Sequence, residues 1–156
     1  MIICFNRPEL MLRRLSELCS SSVLPERVLV SIDGPRSEEE SRIWKDFNFS
    51  TLAKEFPFTL EFIRRPANLG CSLHIITAVS EVLQVSNSVI VVEDDVVVGN
   101  GFLKSMIDGL SIISSDDSIG TVGGFSPFYK GLFRTSTNYW RKSPYFSAWG
   151  WGTTTE

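Results

Sequence analysis

Apolar positions along this chain alternate between two rhythms. Short β-branched runs are followed by longer segments in which apolar residues return every three or four positions. That alternation predicts βαβ units and a mainly parallel sheet. Ile2 to Phe5 reads as the first strand, and Pro8 suits the first turn of a helix whose apolar face is Met11, Leu15 and Leu18. Val28 to Ile32 is a second strand that ends in the turn signal Asp33-Gly34-Pro35. Ser37 followed by Glu38, Glu39 and Glu40 marks a helix start, with carboxylates near the positive end of the helix dipole. Phe58 to Ile63 is a third strand, and Leu73, Ile76, Val79 and Leu83 mark the next helix. Val89 to Val92 is a fourth strand, apolar on both faces as a central parallel strand is. Leu103, Met106, Ile107 and Leu110 give another amphipathic helix, and Ile119 to Val122 a fifth strand. Beyond Gly123-Gly124 the chain turns aromatic and turn-rich, without helical period.

Composition narrows the class. The 156 residues, 43% apolar and 21% charged, suit one soluble globular domain with a real core. A net charge of −3 argues against a nucleic-acid partner, which needs clustered Lys and Arg. Arg13-Arg14 reads as a solvated pair on a helix. Cys4, Cys19 and Cys71 are odd in number and far apart, which fits reduced thiols and a cytoplasmic setting. With one histidine and no CxxC pair, a Cys/His zinc site is not expected. The most apolar run, Val89 to Val98, is short and carries three carboxylates, so no transmembrane segment is expected. No signal peptide is visible. The chain begins as if inside a strand and stops abruptly after Trp151-Gly152, so residues 1–156 read as a single domain truncated at its C-terminus.

The chemically unusual stretch is Val89-Ile90-Val91-Val92-Glu93-Asp94-Asp95. A hydrophobic strand running straight into three acids places mutually repelling carboxylates where burial is costly, unless something positive sits there. In an open α/β sheet the carboxyl end of a strand faces the ligand crevice. A divalent cation bridging two phosphates resolves the repulsion. Adjacent acids in extended chain point to opposite sides, so the three cannot serve one ion alike. One division puts Asp95 on the metal, Asp94 on a ribose hydroxyl or water, and Glu93 behind them. The alternative is an acidic turn held by caps and solvent.

Val91-Val92-Glu93-Asp94-Asp95, with a short link to Phe102, resembles the DXD-type motif of GT-A glycosyltransferases. The resemblance is to the Glu-Asp-Asp form of the N-acetylglucosaminyltransferase I family and of bacterial glycosyltransferase-2-like proteins. Phe5-Asn6-Arg7-Pro8 resembles that family's opening strand-to-helix turn, whose arginine contacts the nucleotide. Ser31-Ile32-Asp33-Gly34 resembles its second strand, which ends in an aspartate that recognises uracil. Asn68-Leu69-Gly70 resembles a turn common in glycosyltransferase-2 relatives, and His74, followed by Ala78, resembles a histidine near the base. Tyr145 to Trp151 resembles the glycine- and tryptophan-containing segment beside sugar and acceptor, placing Trp149, Gly150 and Trp151 there.

The resemblance implies a Rossmann-like GT-A nucleotide-diphospho-sugar transferase fold, α/β, with helices on both faces of a mostly parallel sheet. It implies transfer of a sugar from a nucleotide-sugar donor, a UDP-sugar, to a carbohydrate or other hydroxyl acceptor, with Mn2+ (or Mg2+) and inversion. Asn6, Asp33, Asn68 and Asp94 or Asp95 all fall at or just after expected strand ends, so they can converge on one crevice. Asp33 can accept the imide N–H of uracil, and Arg7 or Arg65 can balance diphosphate charge. His74 is either a base neighbour or a satisfied buried histidine. Trp149 and Trp151, two apart, present to one side of an extended segment, as a sugar-stacking wall or as a cap on the core. Gly123-Gly124 admits close approach of a ligand or makes a simple turn. The family's catalytic base lies downstream of the glycine/tryptophan segment, where only Glu156 remains, so no catalytic residue is assigned. A nucleotidyltransferase is the rival enzyme class, but Asn6-Arg7-Pro8 lacks the glycine-rich basic loop it requires. A non-catalytic nucleotide-sugar-binding module is the rival non-enzyme.

Overall fold

The computed structural model describes residues 1–125 and 140–155. Six strands form one sheet: β1 (Ile2–Cys4), β2 (Arg27–Ile32), β3 (Thr59–Arg64), β4 (Ser88–Glu93), β5 (Val122–Gly123) and β6 (Trp151–Thr154), in the order β3-β2-β1-β4-β6-β5. The helices are α1 (Pro8–Cys19), α2 (Glu38–Ile43), α3 (Phe49–Leu52), α4 (Cys71–Leu83) and α5 (Phe102–Ile113). β1 pairs in parallel with β2 on one side and β4 on the other, and β3 adds in parallel to β2. β6 is antiparallel to β4 and β5 antiparallel to β6. The expected α/β architecture with a mostly parallel sheet is therefore present.

Period-2 alternation divides the strands between two cores. Ile2, Cys4, Val28, Val30, Ile32 and Leu60 face α1 and an aromatic group that includes Trp44 and Phe58. Ile3, Val89 and Val91 face Ala78 and Val79 of α4. Met106, Leu110 and Ile113 of α5 pack with Val122 beyond β4. The expected inward positions Met11, Leu15 and Leu18 of α1 are all buried. Ser37 caps α2 through the Glu40 amide at 3.2 Å, as the local sequence predicts.

Several expectations need correction. Arg14, expected as half of a solvated pair, is 4% exposed, and the fifth strand covers Val122–Gly123 rather than Ile119 to Val122. α4 does not bury Leu73 and Ile76, which stand 53% and 61% exposed; its inner face is His74, Ala78 and Val79. On α5, Ile107 likewise faces outward. The antiparallel strand β6 was not expected at all, because a four-residue run containing Gly152 carries little strand signal.

From β1 the chain runs outward through β2 and β3, then crosses back to set β4 on the opposite side of β1. That reversal makes the gap between the carboxyl ends of β1 and β4 the switch point, where ligands bind in open α/β sheets. Register fixes what stands there: Ile3 lies opposite Glu93, and the Asp94 amide donates to the Ile3 carbonyl at 3.0 Å. Among the described residues, no helix is long and apolar enough to cross a membrane.

Candidate functional site at the carboxyl edge of the sheet

Three strand ends contribute, one spacing apart. β1 delivers Phe5, Asn6 and Arg7, and Pro8 starts α1 immediately, so the helix N-terminus and its positive dipole end face the same edge. β2 is followed at once by Asp33, whose amide donates to the Cys4 carbonyl at 2.9 Å. β4 ends at Glu93, followed by a turn through Asp94 and Asp95. Asp33 and Asp94 thus flank β1, separated by roughly 10 Å, or two strand spacings.

The β4 acids divide as the alternation of side chains requires. Asp94 turns inward beside Cys4 and is 1% exposed. Arg7 grips it from outside, with Nε 3.3 Å from Oδ2 and Nη2 on Oδ1. Asp95 is half exposed and receives Arg7 Nη1 at 3.1 Å. Burial pushes the Asp94 carboxyl above its ordinary range, with the guanidinium and the Cys4 thiol opposing. Burial, then the charges of Asp95 and Asp94, pushes Glu93 up as well. The Cys4 thiol is driven far above the usual range by burial and by the Asp94 charge it faces, so it remains a thiol. Cys4, Cys19 and Cys71 are all unbridged.

The Asp33 end is built differently. Oδ1 accepts from the amides of Gly34 and Leu69 at 2.8 and 2.9 Å; Oδ2 accepts from Asn68 Nδ2 and the Gly70 amide, both at 3.0 Å. A carboxylate has about four lone-pair sites, so Asp33 is saturated by its own chain. Asn68 also donates to the Gly34 carbonyl at 2.9 Å. Gly34 is required here, since a Cβ would sit 2.1 Å from the Ala67 carbonyl carbon. Gly70, at φ 75, supplies the left-handed residue that starts α4.

The remaining candidates separate. His74 is buried, and its Nε2 lies 2.8 Å from the Ser31 hydroxyl; burial holds the imidazole below its usual pKa. It is a satisfied histidine between α4 and β2. Asn6 donates to Glu40 at 3.5 Å and, among the described residues, to no other group. Arg65 pairs with Glu81 on α4 through two bonds of 2.7 and 2.6 Å.

Trp149 and Trp151 do not form one wall. Gly150, at φ 72, breaks the extended path between them. Trp151 enters β6 and packs beside Ile3, Ala78 and Val91. Trp149 stays 57% exposed, edge-on to Phe125 at 4.6 Å. The glycines here accommodate a side chain: a Cβ on Gly124 or Gly150 would meet the Phe102 ring at 2.6 or 2.8 Å. Glu156 lies outside the described residues.

A cavity of about 680 Å3 opens beside Asp95, lined by Gly99, Phe102, Ser105, Gly124, Phe125 and Trp149 among others. Asp95 is its one ionisable lining residue among those described. Sequence reasoning missed Phe125 and Ser105, which carry no motif of their own. A second cavity of about 310 Å3, around Met1, Pro25, Arg27 and Ser88, lies at the opposite edge. Among the described residues, no group of three or more His, Cys, Asp or Glu is arranged to hold a metal by itself.

No protein-family model matches the chain, and no curated protein matches it. A solved structure does: the mannosyltransferase PcManGT from Pyrobaculum calidifontis in complex with GDP-Man and Mn2+, at 15% identity and a TM-score of 0.53. The match covers 78% of this chain but 34% of that one, so the chain spans about a third of its length. At that identity the likeness is one of fold: the chain shares a Rossmann-like α/β architecture with that structure.

Proposed function

We propose that the carboxyl edge of this sheet binds the diphosphate of a nucleotide-sugar donor, with a divalent cation on Asp95, for glycosyl transfer to an acceptor hydroxyl. One observation carries the reading. At the topological switch point the half-exposed carboxylate of Asp95 lines a cavity of about 680 Å3 and pairs with the half-exposed guanidinium of Arg7. The shared fold with a mannosyltransferase that was solved with GDP-Man and Mn2+ agrees with it.

The donor set fits a cation that shares its coordination with phosphate. Mg2+-type sites use one or two carboxylates plus substrate phosphates rather than a protein cage, so a single accessible Asp95 suffices. A bound Mn2+ or Mg2+ supplies Lewis-acid neutralisation of the leaving diphosphate. The chain's own residues bind and orient. Arg7 offers a forked donor to phosphate, with the N-terminus of α1 behind it. Asp33 holds the Asn68-Leu69-Gly70 turn and shapes the wall on which a base would lie. Trp149 and Phe125 give the cavity an aromatic side suited to a sugar ring. By resemblance the base is uracil and the transfer inverting; the GDP-Man of the solved relative makes guanine the alternative to test.

A donor-binding module without turnover is the second reading. It is favoured by the cavity lining, which among the described residues offers no ionisable group besides Asp95 to deprotonate an acceptor. Calorimetric titration with UDP, GDP and their sugars, in Mn2+ and then in EDTA, tests the proposal. Metal-dependent binding that Asp95→Ala abolishes is expected. Nucleotide binding indifferent to metal and to Asp95 would contradict it, and sugar transfer from bound donor would exclude the second reading.

A further inference from the structure

The two aspartates are unequally committed to Arg7. The Asp94 side chain is 2% exposed; Arg7 meets both its oxygens through Nε and Nη2. Asp95 is 51% exposed and takes only Nη1. The Arg7 backbone is fixed, because its carbonyl accepts from the Leu10 and Met11 amides at 3.1 and 3.2 Å. Any movement is therefore confined to the side chain, and the weaker, exposed contact yields first. A cation on Asp95 and Nη1 in its present place would stand as like charges within a few ångströms, which is repulsive even at high effective dielectric.

Resting on the donor-site reading above, we propose that Arg7 is a tethered stand-in for the divalent cation. Without metal, Nη1 neutralises Asp95. When a cation takes Asp95, Asp94 keeps hold of the guanidinium by its other edge, and the released N–H turns to the donor diphosphate. Arg7 thereby couples cation binding to diphosphate binding. Asp94 is a positioning residue for Arg7 and not a cation ligand.

Electron paramagnetic resonance of free Mn2+ measures metal affinity without nucleotide, on wild type, Arg7→Gln, Arg7→Lys and Asp94→Asn, each checked for folding by circular dichroism. Loss of a half-exposed ion pair makes Arg7→Gln bind Mn2+ alone about two- to five-fold more tightly than wild type. The same variant loses most of the gain in UDP or GDP affinity that Mn2+ confers. Lysine offers one compact ammonium in place of the three separate guanidinium N–H groups that hold the two carboxylates, so Arg7→Lys falls on the glutamine side of wild type. Asp94→Asn, nearly isosteric, still binds Mn2+ alone. Equal Mn2+ affinity in wild type and Arg7→Gln overturns this proposal, as does a lysine variant identical to wild type or loss of Mn2+ binding in Asp94→Asn. In each of those cases the donor site stands if wild type binds nucleotide with Mn2+. If no protein binds Mn2+ or nucleotide, the donor-site reading itself fails.

Discussion

Asp33 and Asp94-Asp95 follow the two strands that flank β1, and both bring negative charge to the same edge. Their partners differ in kind. Asp33 is held by four donors of its own chain, three of them backbone amides, so its geometry is set by folding. Asp94 and Asp95 share one long side chain that reaches them from the start of α1. A carboxylate tied to amides cannot exchange partners without unfolding a turn, whereas one tied to a half-exposed guanidinium can. Burial and charge alone would rank the two ends together; the identity of the donor separates a structural acid from an available one.

That contrast can be broken by substitution, starting at the rigid end. Asp33→Ala strands four buried or part-buried donors and is expected to cost roughly 3 kcal/mol in urea unfolding. A loss below about 1 kcal/mol would mean that the turn is held by something else. Gly34→Ala drives a Cβ into the Ala67 backbone and should cost about 2 kcal/mol by the same measurement. His74→Gln sharpens the picture through pH. The folded imidazole has a lowered pKa, so the unfolded state takes up its proton first as pH falls below about 6.5. Wild-type stability should therefore decline from there downward until the folded ring also titrates, and the stability of the glutamine variant, followed in parallel, should lack that component. The smallest stability effect is expected at the exchangeable end. Asp95→Asn should change unfolding by less than about 0.5 kcal/mol while removing Mn2+-dependent nucleotide binding.

Much of this frame was legible in the residues themselves. Hydrophobic runs ending in Asp33-Gly34 and Glu93-Asp94-Asp95 announce strand ends, and βαβ order places them on one edge. What they do there was not legible. The Arg7 contacts join residues 87 and 88 positions apart, and the donors to Asp33 other than Gly34 lie 35 to 37 positions away. An aspartate after a strand looks the same whether its partner is a ligand or its own loop. α4 was misjudged because hydropathy favoured Leu73 and Ile76, while the hydrogen bond of His74 to Ser31 turns the polar residue inward. Trp149 and Trp151 were paired by spacing, and the positive φ of Gly150 separates them. Strand β6 escaped because its residues carry neither alternation nor length.

The central claim is that Asp95 holds a divalent cation against a nucleotide diphosphate while Asp33 stays with its own loop. A crystal grown with Mn2+ and UDP or GDP, with anomalous data collected at the manganese edge, tests it most directly. One anomalous peak is expected about 2.0–2.3 Å from an Asp95 oxygen, shared with phosphate oxygens, with all four Asp33 bonds intact. A peak remote from Asp95, or a nucleotide bound with no metal on Asp95, would contradict it.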